Sequence, residues 1–327
     1  FDRLKARVSI FGGPTSVWVG LETTRPNLIP ALRLIGEVLR EPSFPEKEFD
    51  ELKRENLASL EENRSEPTFQ GSNAYQRYLN PYPKGDPRYV STLDEQVADY
   101  TAASLDEARR FYAEFYGASN GELAVVGDFD PAEVSATATE IFGSWKSPKP
   151  FQRVPQEFKD VTATSISLNT PDKANAFFLA GMNLHVRDDD PDYAALVLGN
   201  YMLGGGFLNS RLATRIRQKE GISYGVGSGL FASALDSTGG FQTFAIYAPE
   251  NAGRLEAAFR EEIERMLKDG FTADEVKAAK TGWLQSRQVS RSQDPQLVNQ
   301  LGNYTFIGRS LGFDKALEAR VSALTPD

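Results

Sequence analysis

The sequence predicts an α+β fold made of two related modules, each an antiparallel sheet with helices packed on one face. The chain has 327 residues, which suffices for two domains at roughly 150 residues per domain. Hydrophobic residues make up 40% and charged residues 25% of the chain, an ordinary balance for a globular protein. Hairpin-like pairs of strands alternate with amphipathic helices, and part of this pattern occurs twice.

The repeat relates residues 44–53 to residues 271–280 by a shift of 227 residues. The shift pairs Phe44 with Phe271 and Lys53 with Lys280. Duplication explains the conserved order of such matches, and chance similarity between two unrelated helical hairpins is the alternative. Because residue 1 then corresponds to about residue 228, we expect the first module to lack its N-terminal portion. The second module should lack its C-terminal portion, so we expect a piece of a longer product.

The first module spans residues 1–150 and ends in a Pro-rich stretch at 147–150. Its first element is a hairpin with strands 4–10 and 17–21 around Gly12-Gly13-Pro14, since Gly and Pro between apolar runs mark turns. Apolar spacing of three and four residues predicts helices, and a Pro/Gly/Asn loop covers 80–87. The remaining predicted elements are helices 27–40, 45–64, 105–116 and 131–142, and a strand at 123–126.

The second module spans residues 151–327. Strands are predicted at 162–168, 176–181, 222–230 and 239–247, and helices at 191–203, 208–219, 251–268 and 273–290. Several helix starts carry Ser or Thr three residues before Glu, as in Ser104/Glu107 and Thr272/Glu275. This spacing is typical of capping boxes, so these residues are assigned a structural role.

Composition excludes several classes of function. The net charge is −9, which argues against general binding to nucleic acid or to anionic membranes. The chain has no cysteine and one histidine, His185, so neither thiolate ligands nor a pair of histidines can bind zinc within it. No run of 18 apolar residues exists, so no membrane span is predicted. The absence of cysteine fits either the cytoplasm or the periplasm.

Three features that resemble chemical sites are better explained by structural roles. His185 follows an apolar run and is best explained as a polar residue at a strand end. A hydrolase using His185 remains an alternative, and it predicts activity from this chain that disappears in His185→Ala. The acids 188–190 precede Pro191 and suggest a helix cap and a solvated turn. Gly204, Gly205 and Gly206 lack the Gly-Lys-Ser/Thr of a phosphate loop, and suggest a mobile connection between helices.

The most informative stretch is 203–228. Leu208, Leu212 and Ile216 form one apolar helical face, so Arg211, Arg215 and Lys219 should lie away from it. Gly221 then ends the helix. In the following strand, small residues at positions 223, 225 and 227 share one face and permit close approach by a neighbour.

This stretch resembles the second half of pitrilysin/insulinase-family metallopeptidases. The resemblance rests on the glycine run, on Asn-Ser-Arg-Leu at 209–212 and on Arg-x-Lys-Glu-Gly-x-x-Tyr at 217–224. The first module is similar to the family through Pro-x-Phe-Pro-x-x-x-Phe at 42–49 and Tyr-Pro-Lys-Gly-Asp-Pro-Arg-Tyr at 82–89. The similarity covers nearly the whole chain.

The resemblance implies an enzyme of two halves, each made of two α+β modules, that close around a chamber. One half carries an inverted zinc motif, H-x-x-E-H, and the other supplies substrate-binding walls and an Arg/Tyr pair. For this chain it implies Arg217 and Tyr224 as supporting catalytic residues that contact the substrate and the oxyanion. It also implies peptide binding by Gly204, Gly205, Gly206, Asn209 and Arg211.

The metal is expected elsewhere. No H-x-x-E-H occurs in the chain, and the downstream Glu ligand of the family falls on Leu60, which cannot bind zinc. We therefore expect no cofactor here, and zinc in an N-terminal partner half that is either fused or a separate subunit. The chain should be inactive alone. The alternative is a non-catalytic structural or binding subunit, since some relatives, such as respiratory-complex core proteins, keep the fold without the metal.

Overall fold

The computed structural model describes residues 1–326, apart from the side chains of Phe207 and Tyr224. In chain order its strands and longer helices are β1 (Arg7–Gly12), β2 (Val17–Glu22), α1 (Leu28–Arg40), α2 (Glu46–Asn63), α3 (Pro67–Leu79), α4 (Leu93–Ala102), α5 (Leu105–Phe115), α6 (Pro131–Phe142), β3 (Ala176–Leu184), α7 (Tyr193–Asn200), β4 (Ser223–Ala232), β5 (Gly239–Tyr247), α8 (Ala252–Asp269), α9 (Ala273–Arg291), α10 (Asp294–Phe306) and α11 (Gly312–Ala323). No helix within these residues is apolar over a length that could cross a bilayer.

The chain forms two compact units. Unit 1 comprises Phe1–Ser59, Asp94–Val154 and Asp294–Phe306, and unit 2 comprises Leu60–Leu93, Pro155–Gln293 and the residues from Ile307 onward. The modules predicted at 1–150 and 151–327 differ from these units in two helices. Helix α3 belongs to unit 2, and helix α10 belongs to unit 1. The module boundaries themselves stay a prediction.

Unit 1 contains the hairpin β1–β2, in which Arg7 pairs with Glu22 and Gly12 with Val17. Phe11 and Trp18 stack across it with ring centroids 5.9 Å apart. The core of this unit forms where α1 crosses α6, around Leu32, Val134 and Ile141. Gly36 of α1 lies directly against the Ile141 side chain, which allows the two helices to approach closely.

Unit 2 contains a three-stranded antiparallel sheet in the order β3-β5-β4. Ala245 of the central strand lies in a core with Leu212, Ile216, Leu255 and Ala258, so α8 and the 212–216 region cover this face. A second core joins α7, α9 and α11 around Leu198, Trp283 and Val321. The predicted α+β class, with antiparallel sheets, is confirmed.

The predicted repeat recurs in the elements. A shift of 227 residues moves Glu46–Asn63 onto 273–290 and Pro67–Leu79 onto 294–306, which are the bounds of α9 and α10 to within one residue. One interaction recurs as well. Lys53 Nζ donates to Thr101 O at 2.7 Å and Ala103 O at 2.9 Å, and Lys280 Nζ donates to Leu324 O at 2.7 Å. Each lysine thereby satisfies carbonyls at or just beyond the end of α4 or α11.

Two strand predictions were wrong. Residues 123–126 and 162–168 pair with no neighbour in the described part of the chain. Leu123, Ile166 and Leu168 are more than half exposed. An extended segment is held as a strand by ladder hydrogen bonds to a neighbour, so apolar alternation alone did not suffice.

Candidate functional site

Two π-helical segments follow α7 and precede β4, and both contact β4. The first covers Tyr201–Gly205 and the second covers Ala213–Lys219. π-Helices are rare and occur frequently at functional sites. The predicted helices 191–203 and 208–219 therefore wind differently from ordinary α-helices in their second parts. Apolar spacing cannot reveal this, because Leu212 and Ile216 are buried in either winding.

The glycine run closes the first π-helix. Gly206 N donates to Tyr201 O at 2.7 Å. Gly204 is buried, and a Cβ on it would lie 2.6 Å from Ser228 N and 2.7 Å from Ser228 Cβ. Such distances are too short for any side chain. Gly204 is therefore required for the close approach of the first π-helix to β4, whereas the sequence had suggested a mobile connection; Gly205 is exposed.

Asn209 and Arg211 lie on different sides of this segment. Asn209 is exposed at the end of a short 3-10 turn, Phe207–Asn209. Arg211 is only 8% exposed, although the sequence pattern placed it away from the apolar face. Its Nε and Nη2 donate to the Glu275 carboxylate at 2.7 and 2.8 Å, Nη2 also donates to Gly270 O, and the guanidinium covers the Phe271 ring.

The ion pair explains why Arg211 can be buried. A charged group can be buried when a partner compensates its charge and satisfies its hydrogen-bonding groups. The Arg211 guanidinium lowers the pKa of the Glu275 carboxyl to about 2. The partner lies 64 residues further along the chain, so sequence spacing gave no sign of it. The predicted contact of Arg211 with peptide stays a prediction.

The second π-helix carries Arg217. This π-helix begins at Ala213, and Glu220 N ends it by donating to Arg215 O at 3.1 Å. Arg215 binds Glu220 and, at 2.5 Å, Glu261 of α8. Arg254 Nη2 of α8 donates to Glu220 Oε2 at 2.7 Å. Hydrogen bonds from Arg254 and Arg215 hold the pKa of Glu220 below its usual range.

Arg217 is half-buried and forms no ion pair or hydrogen bond with any side chain that the structure describes. The Tyr224 side chain lies outside the described residues, so the predicted Arg217/Tyr224 pair stays a prediction. Sequence reasoning missed Glu220, Glu261 and Arg254. The separation of five residues between Arg215 and Glu220 was the available signal, because it fits a π-helix better than an α-helix.

The other candidates have structural surroundings. His185 is exposed and stacks on Phe158 with ring centroids 5.1 Å apart. Asp188 is buried and binds both Nη atoms of Arg309, so the expectation of a solvated turn was wrong at this position. Asp190 accepts from Asp192 N at 2.9 Å. Within residues 1–326 no group of three or more His, Asp or Glu side chains could hold a metal ion.

Chemically, this segment carries two arginines that are already paired, Arg211 and Arg215, and one, Arg217, that binds no side chain among those the structure describes. A guanidinium on a segment beside a sheet can donate several hydrogen bonds to peptide carbonyls or to a carboxylate. Asn209 and Gly205 are exposed on the same segment, and could add polar contacts to an extended peptide.

Comparisons with known proteins converge on one family. The family model described as "Peptidase M16 inactive domain" matches residues 102–282, which is more than half of the chain and includes both π-helices. An uncharacterized zinc protease of Streptomyces coelicolor is 29% identical over 238 residues, which cover 71% of this chain and 50% of that protein. The chain therefore spans about half the length of this relative.

Two further proteins are informative. A Helicobacter pylori protein named a non-peptidase homolog is 22% identical over 90% of this chain and 66% of its own length. A crystal structure of a peptidase M16 inactive domain from Pseudomonas fluorescens is 25% identical, with a TM-score of 0.83 over 99% of this chain and 76% of that chain. The resemblance to pitrilysin/insulinase metallopeptidases is confirmed, and the chain belongs to the peptidase M16 inactive-domain family.

Proposed function

We propose that this chain is the zinc-free half of a pitrilysin/insulinase-type metalloendopeptidase. It closes a chamber and binds the substrate peptide for a partner half that carries the H-x-x-E-H motif. The observation that carries the proposal is the half-buried Arg217 guanidinium, which lies within the matched family region and binds no described side chain. A ligand that supplies hydrogen-bond acceptors would satisfy the donors of such a guanidinium.

The two halves would have different roles in the reaction. Zinc held by the H-x-x-E-H motif of the partner half would supply the chemistry that activates water and polarises the scissile carbonyl. This chain orients the peptide, as an added strand, and Arg217 donates charge-assisted hydrogen bonds to its backbone carbonyls, each worth about 1.5–3 kcal/mol. The phenol of Tyr224 donates to the oxygen on which charge develops, a contribution typically worth about a hundred- to a thousandfold in rate.

The test compares Arg217→Ala and Tyr224→Phe in the full-length protein assembled with its zinc-bearing half. Both should lower kcat/KM on internally quenched, unstructured peptides by at least tenfold, with zinc content unchanged. Arg260→Ala is the control, since Arg260 forms an exposed pair with Glu256 on α8 and should leave turnover unaffected. This chain alone should not hydrolyse the peptides. Wild-type turnover in both variants would contradict the proposed roles.

A second candidate is a non-catalytic structural or binding subunit, which is favoured by the name of the Helicobacter relative. The two functions differ in the partner. Antibodies raised against this chain should capture, from the source cell, a species that contains stoichiometric zinc if the first proposal holds. Capture of the chain only in zinc-free assemblies would favour the second.

A further inference from the structure

Glu220 has two alternative arginine neighbours, and the winding of its helix selects between them. In an α-helix, residues three and four apart are neighbours on the surface. An α-helix through this segment would bring Glu220 beside Arg217, three residues earlier, and would bring Arg215 beside the like charge of Lys219, four residues later. In the π-helix, bonds run from each residue to the one five positions on, so Glu220 meets Arg215 instead.

The observed contacts follow the second arrangement. Glu220 N donates to Arg215 O at 3.1 Å, and the side chains of the same two residues form an ion pair. Both side chains are about three-quarters buried, with exposures of 25% for Glu220 and 23% for Arg215. The backbone hydrogen bond and the side-chain ion pair therefore join the same two residues.

Helix α8 holds this arrangement from outside the segment. Arg254 Nη2 donates to the second carboxylate oxygen of Glu220 at 2.7 Å, and Glu261 accepts from Arg215 at 2.5 Å. Both oxygens of Glu220 are thus occupied by arginines other than Arg217. Just before the segment begins at Ala213, Arg211 is held by Glu275.

We propose that Glu220 is a positioning residue, which holds the second π-helix in the winding that keeps Arg217 out of an ion pair and available to a peptide. The inference rests on the proposed function for the use of Arg217, but the winding itself can be tested separately. Without the carboxylate of Glu220, the segment loses the side-chain pair that accompanies its π-type backbone bond and is left with the backbone bond alone.

The first experiment measures the winding by hydrogen exchange in the full-length protein. The amides of Glu220 and Ile222, which donate to Arg215 O and Ile216 O, should exchange at least tenfold faster in Glu220→Gln. Glu256→Gln is the matched control, because it removes an exposed carboxylate of α8 that pairs with Arg260. Unchanged protection in Glu220→Gln would overturn the inference.

The second experiment is a double-mutant cycle on kcat/KM with internally quenched peptides and the zinc-bearing half present. Glu220→Gln should lower kcat/KM by about ten- to a hundredfold, the equivalent of one charge-assisted hydrogen bond. In an Arg217→Ala background the same change should cost less than twofold, because Glu220 acts through Arg217. A merely structural role would give additive losses, and that result would overturn the proposal.

If Glu220→Gln does not fold, Arg215→Gln replaces it, since it removes the other member of the pair and should show the same dependence on Arg217; additive losses would again overturn the inference. If Arg217→Ala keeps full turnover, the proposed peptide role of Arg217 is wrong. The exchange of the Glu220 and Ile222 amides then decides whether Glu220 sets the winding.

Discussion

Arg211 and Glu275 show at the residue scale how one side chain serves two structures. Glu275 accepts from Thr272 N at 2.8 Å in the capping box of α9, and it also binds the buried Arg211 guanidinium. In the capping box of α5, formed by Ser104 and Glu107, the arginine next to the glutamate is Arg110, whose side chain is exposed. The two boxes share a sequence pattern and differ in what each carboxylate stabilises.

We expect Glu275→Gln to lower the free energy of unfolding at pH 7 by on the order of 3 kcal/mol. The folded pKa of Glu275 is about 2 and its usual value is 4.5. A depressed folded pKa gives stability that is present above the unfolded pKa and lost as the pH falls through the folded one. Urea denaturation should therefore show a large difference from wild type at pH 7 that shrinks between pH 4.5 and pH 2.

Glu107→Gln is the control for this measurement, because it disturbs a capping box on an exposed helix start without unpairing a buried arginine. Its loss of stability should be the smaller of the two. Equal losses in both variants would show that the cap, and not Arg211, accounts for the effect of Glu275.

At the scale of elements, the first π-helix and β4 are packed as closely as their backbones allow. Gly204→Ala should lower the free energy of unfolding by about 1–3 kcal/mol, the usual cost of overpacking, since its Cβ would meet Ser228 N at 2.6 Å. Gly253→Ala in α8 should be neutral or stabilising by up to about 1 kcal/mol, because nothing lies within 4 Å of that Cβ and alanine favours helix. Thermal unfolding of both variants checks this.

The same elements mark the limit of sequence reasoning. Helices α2 and α9 were predicted to within a residue or two, because caps and apolar spacing agree there. Helices α3, α4, α10 and α11 were not predicted, since polar residues and glycines interrupt their apolar faces. The glycine run and Arg217 were found from motifs. Glu220 and Glu275 were not recognised as the partners of Arg215 and Arg211, because the π-winding and a contact over 64 residues leave no local pattern.

At the scale of the whole molecule, each unit depends on a helix from the other half of the sequence. In unit 2, Asn183 Nδ2 of β3 donates to Leu79 O at the end of α3 at 2.9 Å. In unit 1, Gly302 of α10 lies beside Ala124, since a Cβ placed on Gly302 would be 3.7 Å from Ala124 Cβ. Related helices thus have exchanged positions in the two units.

We expect fragments 1–150 and 151–327 to be unstable when produced separately, since the first lacks α10 and the second lacks α3. Co-expression should restore both units as a complex. Circular dichroism and gel filtration of each fragment, alone and together, give the measurement. Two fragments that each unfold cooperatively as monomers would contradict this expectation.

The exchange of helices also constrains the timing of folding during synthesis. Domains generally fold as units as they leave the ribosome, N-terminal ones first. Unit 1 begins at Phe1 but includes Asp294–Phe306, so it cannot be completed until almost the entire described chain has emerged. Ala124, which lies beside Gly302 of α10, lacks this neighbour throughout that interval. Nascent chains of this protein should therefore bind chaperones for longer than chains whose units are contiguous in sequence.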